Sequence, residues 1–288
     1  MIMENDTIKN DFKNKLKKFV DTLKEHVSTD DSQWTIKGFI DIFQNIYTIS
    51  ADTKIVSKIL EIHLFPKLLD FARQNNYKII LADHQNYYPD ITFVSADNKI
   101  KFAVDLKTTY RLNEKSGFCN GFTLGSHGAY FIERDKSKNI QFPYNEYSAH
   151  FCLGIIYSRT PTKDIDETKI HTPSQLKSIV SVIKDFQFFV CEKWELASDA
   201  SGSGNTANIG SIMKISDILA GNGVFKNLGE EWFDDYWMNY GKITNPKTSK
   251  KITNLKDFIN YKIKNKNETE ILVNKVNPCI RSSKKKKK

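Results

Sequence analysis

The sequence predicts a mixed α/β protein, a mixed β-sheet core flanked by helices. Three observations carry this. Residues 7–27 place Ile8, Phe12, Leu16, Phe19, Val20 and Leu23 at helical spacing. Lys99 to Lys107 alternates instead, with Ile100, Phe102, Val104 and Leu106 on one side and Lys101, Ala103, Asp105 and Lys107 on the other. Further strand and helix signals follow irregularly, without an internal repeat.

Taken in order, the helix over 7–27 is amphipathic. From Trp34 to Ile49, β-forming residues surround Gln44-Asn45, which predicts a hairpin. An apolar hairpin after a helix is a candidate dimerisation unit, or it packs on its own core. Residues 52–75 read as a second helix, with Pro66 marking a kink or break. Strands are expected at 78–82 and 90–94, and a turn at Ala96-Asp97-Asn98 leads into the alternating strand. Residues 151–158 and 186–195 read as buried strands, and 230–240 and 254–263 as helices. The expected organisation is an N-terminal helix and hairpin over 1–50, a catalytic and recognition domain over 51–263, and a basic tail over 264–288.

The charge is unevenly placed. Residues 241–288 hold 15 of the 43 basic residues and 3 of the 34 acidic ones, a net of +12, which leaves −3 for the rest. Such a segment favours a polyanion in a salt-dependent way, or is a solvated tail, as the run Lys284 to Lys288 suggests. No stretch approaches the ~20 apolar residues that span a bilayer, so no membrane partner is expected. Met1 to Asp6 lacks the basic-then-apolar pattern of a secretory signal. Cys119, Cys152, Cys191 and Cys279 are scattered and suggest neither a zinc site nor a disulfide framework. A reducing cytoplasm fits.

Chemistry concentrates at Pro89-Asp90 and Asp105-Leu106-Lys107. Two carboxylates can hold a hard cation such as Mg²⁺ through oxygen. Such a cation neutralises charge on a phosphate, and an ammonium beside it stabilises the transition state. Asp/Glu-x-Lys alone is a weak signal, because Asp11, Asp52, Asp97 and Glu167 begin four further copies. Only the copy at 105–107 lies in a strongly alternating strand, where Asp105 and Lys107 share a face. On a helix they would diverge by about 200°. Antiparallel pairing through the Asp97-Asn98 turn would bring Asp90 and Asp105 to one end of a hairpin. The alternative is surface charge. Glu61 is a third candidate carboxylate, provided its helix packs over the strand ends; otherwise it is a surface glutamate.

Two polar stretches flank this centre. Ala200 to Ser211 contains Gly202, Ser203, Gly204, Asn205, Thr206, Ala207 and Asn208. Glycines allow close backbone approach, and asparagine can pair with adenine. A flexible loop reads equally well, and no Gly-Lys-Ser/Thr follows to make a phosphate-binding loop. His84-Gln85-Asn86-Tyr87 leads directly into the Pro-Asp segment and is either substrate-facing or a surface turn.

With these blocks in view, roughly residues 10–260 resemble the EcoRV-like type II restriction endonucleases of the PD-(D/E)xK nuclease group. The likeness runs through Asp52-Thr53-Lys54 with Glu61, Gln85 to Asp90, Asp105-Leu106-Lys107-Thr108-Thr109-Tyr110 and Phe122 to Gly125. It continues through Gly202 to Thr206, Asn208 to Ile212 and Asp235-Tyr236-Trp237. It implies that Asp90 and Asp105 bind Mg²⁺, that Lys107 is the catalytic lysine, and that Glu61 is an accessory catalytic and metal-binding carboxylate. It implies DNA contacts from the recognition loop (Gly202, Ser203, Gly204, Asn205, Thr206, Asn208), from Gln85 and Asn86 on the minor-groove side, and from Thr53, Lys54, Thr108 and Thr109. It further implies a homodimer acting on double-stranded DNA at the palindrome GATATC, cut centrally to blunt ends with 5′-phosphates. A companion DNA methyltransferase would protect the host without forming a stable complex.

This chain departs from the pattern in several places. Ala207 stands where the family has a hydroxyl residue, and Ser126-His127-Gly128-Ala129-Tyr130 replaces a shorter threonine-serine segment. The gap between the aspartates is one residue shorter, and the N-terminus and lysine tail are extra. Two other readings stay open: a repair or junction-resolving nuclease on the same core, and a DNA-binding module without catalysis.

Overall fold

The computed structural model describes residues 2–84, 86–202 and 207–278. The chain opens with α1 (Ile2–Val27), the hairpin β1 (Gly38–Ile40) and β2 (Ile46–Thr48), and α2 (Thr53–Gln74). Next come β3 (Tyr77–Leu81), β4 (Ile91–Ser95), β5 (Lys101–Tyr110), β6 (Thr123–Ser126), α3 (Ala129–Ile132) and β7 (Ala149–Arg159). The remainder comprises β8 (Ile170–His171), β9 (Ile183–Glu192), α4 (Lys193–Leu196), β10 (Ala197–Ser201), β11 (Asn208–Ser211), α5 (Ile215–Ala220), α6 (Glu230–Asn239), α7 (Leu255–Lys262) and α8 (Lys266–Asn274).

The central sheet has the order β3-β4-β5-β7-β9. β5 and β7 are parallel and the other neighbours antiparallel, so the sheet is mixed, as the sequence predicts. Each face carries its own core. Phe102 and Val104 of β5 join α1 and α2 through Phe12, Leu16, Leu60 and Leu64. Ala103 of β5, and Cys152 and Ile156 of β7, join the C-terminal helices through Phe233, Tyr236, Trp237 and Phe258. The period-two alternation of β5 therefore sorts side chains between two cores, and Asp105 and Lys107 fall on the face of the second.

Two sequence expectations need correction. Of the kink or break expected at Pro66, the break does not occur: α2 runs from Thr53 to Gln74 with Pro66 inside it. Buried Val56, Leu60, Leu64, Leu68 and Phe71 hold both halves on one core, and Pro66 itself is exposed. The strand expected over 186–195 ends at Glu192, because Glu195 reaches back to accept the Glu192 amide at 2.9 Å and starts the short α4.

At the hairpin tip, Asp41 Oδ1 accepts the amides of Phe43 and Asn45, both at 2.9 Å, and Gln44 takes φ +64°. β8 adds a third strand on β2. The apolar side of α1 is buried within the same core as α2, whereas the tip leaves Ile42 and Phe43 89% and 77% exposed.

Gly154 of β7 stands between Lys107 on β5 and Phe189 on β9. A Cβ there would lie 1.8 Å from the buried Phe189 ring. Gly154→Ala is therefore expected to lower stability by about 1–3 kcal/mol through overpacking, measurable by denaturant unfolding.

Candidate active site

Asp90 precedes β4 and Asp105 lies on β5. Their strands pair antiparallel with Ile91 opposite Val104, so the two aspartates flank one position of the ladder. The connecting turn is the expected one: Asp97 Oδ1 accepts from Ser95 Oγ at 2.5 Å and from the Lys99 amide at 3.2 Å, and Asn98 takes φ +61°. Asp90 Oδ2 accepts the Leu106 amide at 2.8 Å, which ties the Pro-Asp segment to the Asp-x-Lys strand. Lys107 Nζ lies 2.5 Å from Asp105 Oδ2.

The electrostatics follow from crowding two carboxylates and one ammonium at the edge of a core. Burial first, and then the neighbouring Asp105 charge, push the Asp90 carboxyl up to about 7; Lys107 and the Leu106 amide pull the other way. Burial works against the Lys107 ammonium, but Asp105 and Asp90 outweigh it and hold the group above the ordinary lysine range. These two carboxylates thus favour the charged form of Lys107.

The donors fit a hard divalent cation. They are oxygen ligands, and the Asp105 charge, which adds to burial in raising Asp90, is what a cation between the carboxylates would offset. Among the described residues no three His, Cys, Asp or Glu side chains gather into a ready metal cluster. A two-carboxylate site matches the habit of Mg²⁺ of completing its shell with water and substrate phosphate.

The other expected residues fall in several places. Glu61 is not brought to the aspartates. Its carboxylate pairs with Lys58 at 2.7 Å, and its helix packs on the sheet face opposite Asp105 and Lys107. Thr53 and Lys54 open α2, where Asp52 caps the helix by accepting the Lys54 amide at 2.8 Å. Thr108 points away from Asp105, toward the α1/α2 side. Thr109 shares the Asp105 face, but it is buried and its hydroxyl donates to the Asn120 carbonyl at 2.5 Å. Asn86 is exposed in the loop ahead of Asp90, while Gln85 lies outside the described residues.

β10 and β11 form an antiparallel pair whose connection is the glycine-rich stretch, and β11 also pairs with β6. Ser203, Gly204, Asn205 and Thr206 lie outside the described residues. The base of the loop is defined: the Gly202 amide donates to the Asn208 carbonyl at 2.8 Å, and a Cβ on Gly202 would approach Thr123 Cγ2 to 2.8 Å. Asn208 pairs in register with Ser126, and the His127 amide donates to the Ala207 carbonyl at 2.8 Å. The segment at 126–130, which departs from the family pattern, therefore braces the base of the glycine-rich loop. The His127 ring packs against Trp237 and Tyr240 at 5.2 and 5.3 Å.

Sequence reasoning missed the layer beneath the carboxylates. Tyr88, directly before Pro89-Asp90, stacks on Tyr130 and shares a 3.0 Å hydrogen bond with buried His150. Buried Lys193 lies beneath Tyr88. These residues come from four separate segments, and no local pattern in the sequence links them.

Comparison with known proteins agrees with the geometry. The family model described as restriction endonuclease EcoRV matches residues 30–263. The type II restriction enzyme EcoRV of Escherichia coli is 34% identical over 235 residues, covering 81% of this chain and 92% of that protein.

Proposed function

Because the chain belongs to the EcoRV restriction endonuclease family, a type II site-specific deoxyribonuclease acting on DNA, we propose that it is a homodimer cutting a short palindrome, GATATC, centrally to blunt ends in a Mg²⁺-dependent reaction. The observation that carries this reading is the Asp90–Asp105–Lys107 constellation, tied together by the Leu106 amide. The retention of all three groups favours a nuclease over a non-catalytic DNA-binding module. The glycine-rich loop favours a site-specific enzyme over a junction or repair nuclease.

Asp90 and Asp105 would hold the divalent cation. When bound, the cation supplies charge neutralisation at the phosphate and acidification of water. Lys107 contributes a fixed ammonium toward charge developing on the phosphate, positioned by its ion pair with Asp105. Attack in line on phosphorus would leave a 5′-phosphate and a 3′-hydroxyl. A two-fold dimer matches the symmetry of a palindrome, so one recognition loop per subunit suffices. The flexible central TA step would allow readout by bending. Cytoplasmic location and a companion methyltransferase belong to the same reading. Among the described residues no helix is long and apolar enough to cross a membrane.

Digestion of a plasmid of known sequence with Mg²⁺, followed by sequencing of the ends, tests this directly. Discrete fragments with blunt GAT/ATC ends are expected. A smear, or nicking at branched structures, would overturn it. Within the loop, Asn205→Ala should cost about 1–3 kcal/mol of discrimination, so that cleavage rates at the cognate site and at single-base variants converge.

The exposed Ile42 and Phe43 at the hairpin tip are the proposed dimer contact. An Ile42→Glu, Phe43→Glu double variant is expected to sediment as a monomer and to lose double-strand cleavage.

A further inference from the structure

Lys193 is buried and its ammonium has no hydrogen-bond partner among the described residues. It sits in an aromatic cage, with Nζ 5.0 Å from the ring centre of Tyr88, 5.1 Å from Phe131 and 5.5 Å from Tyr144. Ring faces offset part of the cost of burying a cation. They do not neutralise it, Asp105 is paired with Lys107 at 2.5 Å, and the other acids around it have their own partners. Glu192 and Glu195 bind Lys13 at 3.0 and 2.7 Å, Glu195 also binds Lys226 at 2.9 Å, and Asp234 pairs with Arg134 at 2.6 Å.

The cage belongs to the core on the Asp105 face of the sheet, and one wall is Tyr88, which leads into Pro89-Asp90. Burial pushes the Lys193 ammonium down to about 8, and Asp105 is the strongest charge opposing that fall. Near neutral pH the group therefore remains largely charged. Lys193 thus adds a second positive charge to that of Lys107 on the Asp105 face of the sheet. An unpaired buried cation is costly, and a neutral side chain of similar shape would pack there without that cost.

We propose that Lys193 is a positioning residue of the cleavage centre: its caged charge opposes a divalent cation at the Asp90–Asp105 pair, so that the free protein holds the cation weakly and retains it once a DNA phosphate adds negative charge. This rests on the metal assignment made above. The field of a buried charge is screened far less than that of a surface lysine, so its removal should be felt at the carboxylates.

The test measures Mn²⁺ binding to the full chain without DNA, by the loss of the free-ion paramagnetic signal at pH 7.5. Lys193→Met and Lys193→Gln remove the charge, and Asp105→Ala serves as the control for the site. Both Lys193 variants are expected to fold, with Met raising the unfolding temperature, and to bind Mn²⁺ on the order of tenfold more tightly. The metal concentration needed for half-maximal cleavage should fall with it. Unchanged Mn²⁺ affinity in both variants, with binding lost in Asp105→Ala, would overturn the role of Lys193 alone. Unchanged binding in Asp105→Ala would overturn the metal assignment and this proposal together. Failure of both Lys193 variants to fold would also overturn it, since the ammonium would then be a structural contact.

Discussion

Asp105→Ala is expected to abolish cleavage while leaving the fold and DNA binding in place. Asp105 supplies one of two carboxylates to the candidate metal site and holds Lys107 at 2.5 Å. Its loss would remove one candidate ligand and release the Lys107 ammonium from its ion pair. Metal-assisted stabilisation of a phosphoryl transition state amounts to several kcal/mol, which corresponds to a rate loss on the order of 10³-fold or more. The fold should survive because Asp90 remains as a counter-charge: it already acts on Lys107 in the same direction as Asp105. The Asp90 carboxyl should also return toward the ordinary carboxylate range, since the Asp105 charge is one of the causes that raise it. Single-turnover cleavage, circular dichroism and a gel shift in Ca²⁺ check the three parts. Full activity in the variant would sink the assignment.

Asp90→Asn is expected to abolish cleavage and yet stabilise the metal-free protein at alkaline pH. The folded Asp90 carboxyl titrates at about 7, above its ordinary range. Between about pH 4 and pH 7 the folded protein therefore keeps a proton that the unfolded chain has released. Stability from this group is fully present below about pH 4, declines as pH rises through that window, and is gone above about pH 7. Asparagine can still accept the Leu106 amide and carries no charge to bury. At pH 8 the variant should exceed the metal-free wild type by on the order of 2 kcal/mol, with the difference vanishing near pH 4. Added divalent cation should stabilise the wild type and not the variant. Unfolding curves across pH, with and without metal, report both effects. A variant that loses stability at pH 8 would contradict the crowding of the two carboxylates.

Much of the site was legible because its signals are local. Strand alternation over 99–107 put Asp105 and Lys107 on one face. Asp97-Asn98 marked the turn that aligns Asp90 with them, and the rival Asp52 copy proves to be a helix cap. Glu61 was not legible in the same way. Sequence distance could not say which sheet face α2 covers, and α2 buries Leu60, Leu64 and Leu68 against the face away from Asp105. The end of β9 escaped for a similar reason, since an apolar run reads as strand until a back-folding Glu195 stops it.

The sequence by itself determined the mixed α/β class, the Pro89-Asp90…Asp105-x-Lys107 pattern, the hairpin at Gln44-Asn45 and the family likeness. Each is written in short-range periodicity, turn chemistry or ordered blocks of residues. Only the tertiary structure decided which face of the sheet carries Asp105 and Lys107, that the helix of Glu61 covers the opposite face, and that His127 braces the base of the glycine-rich loop. It alone placed Lys193 in a ring of Tyr88, Phe131 and Tyr144 behind the carboxylates. The physical reason is that burial and electrostatic fields depend on distance in space, and strands far apart in the chain become neighbours only when the sheet closes.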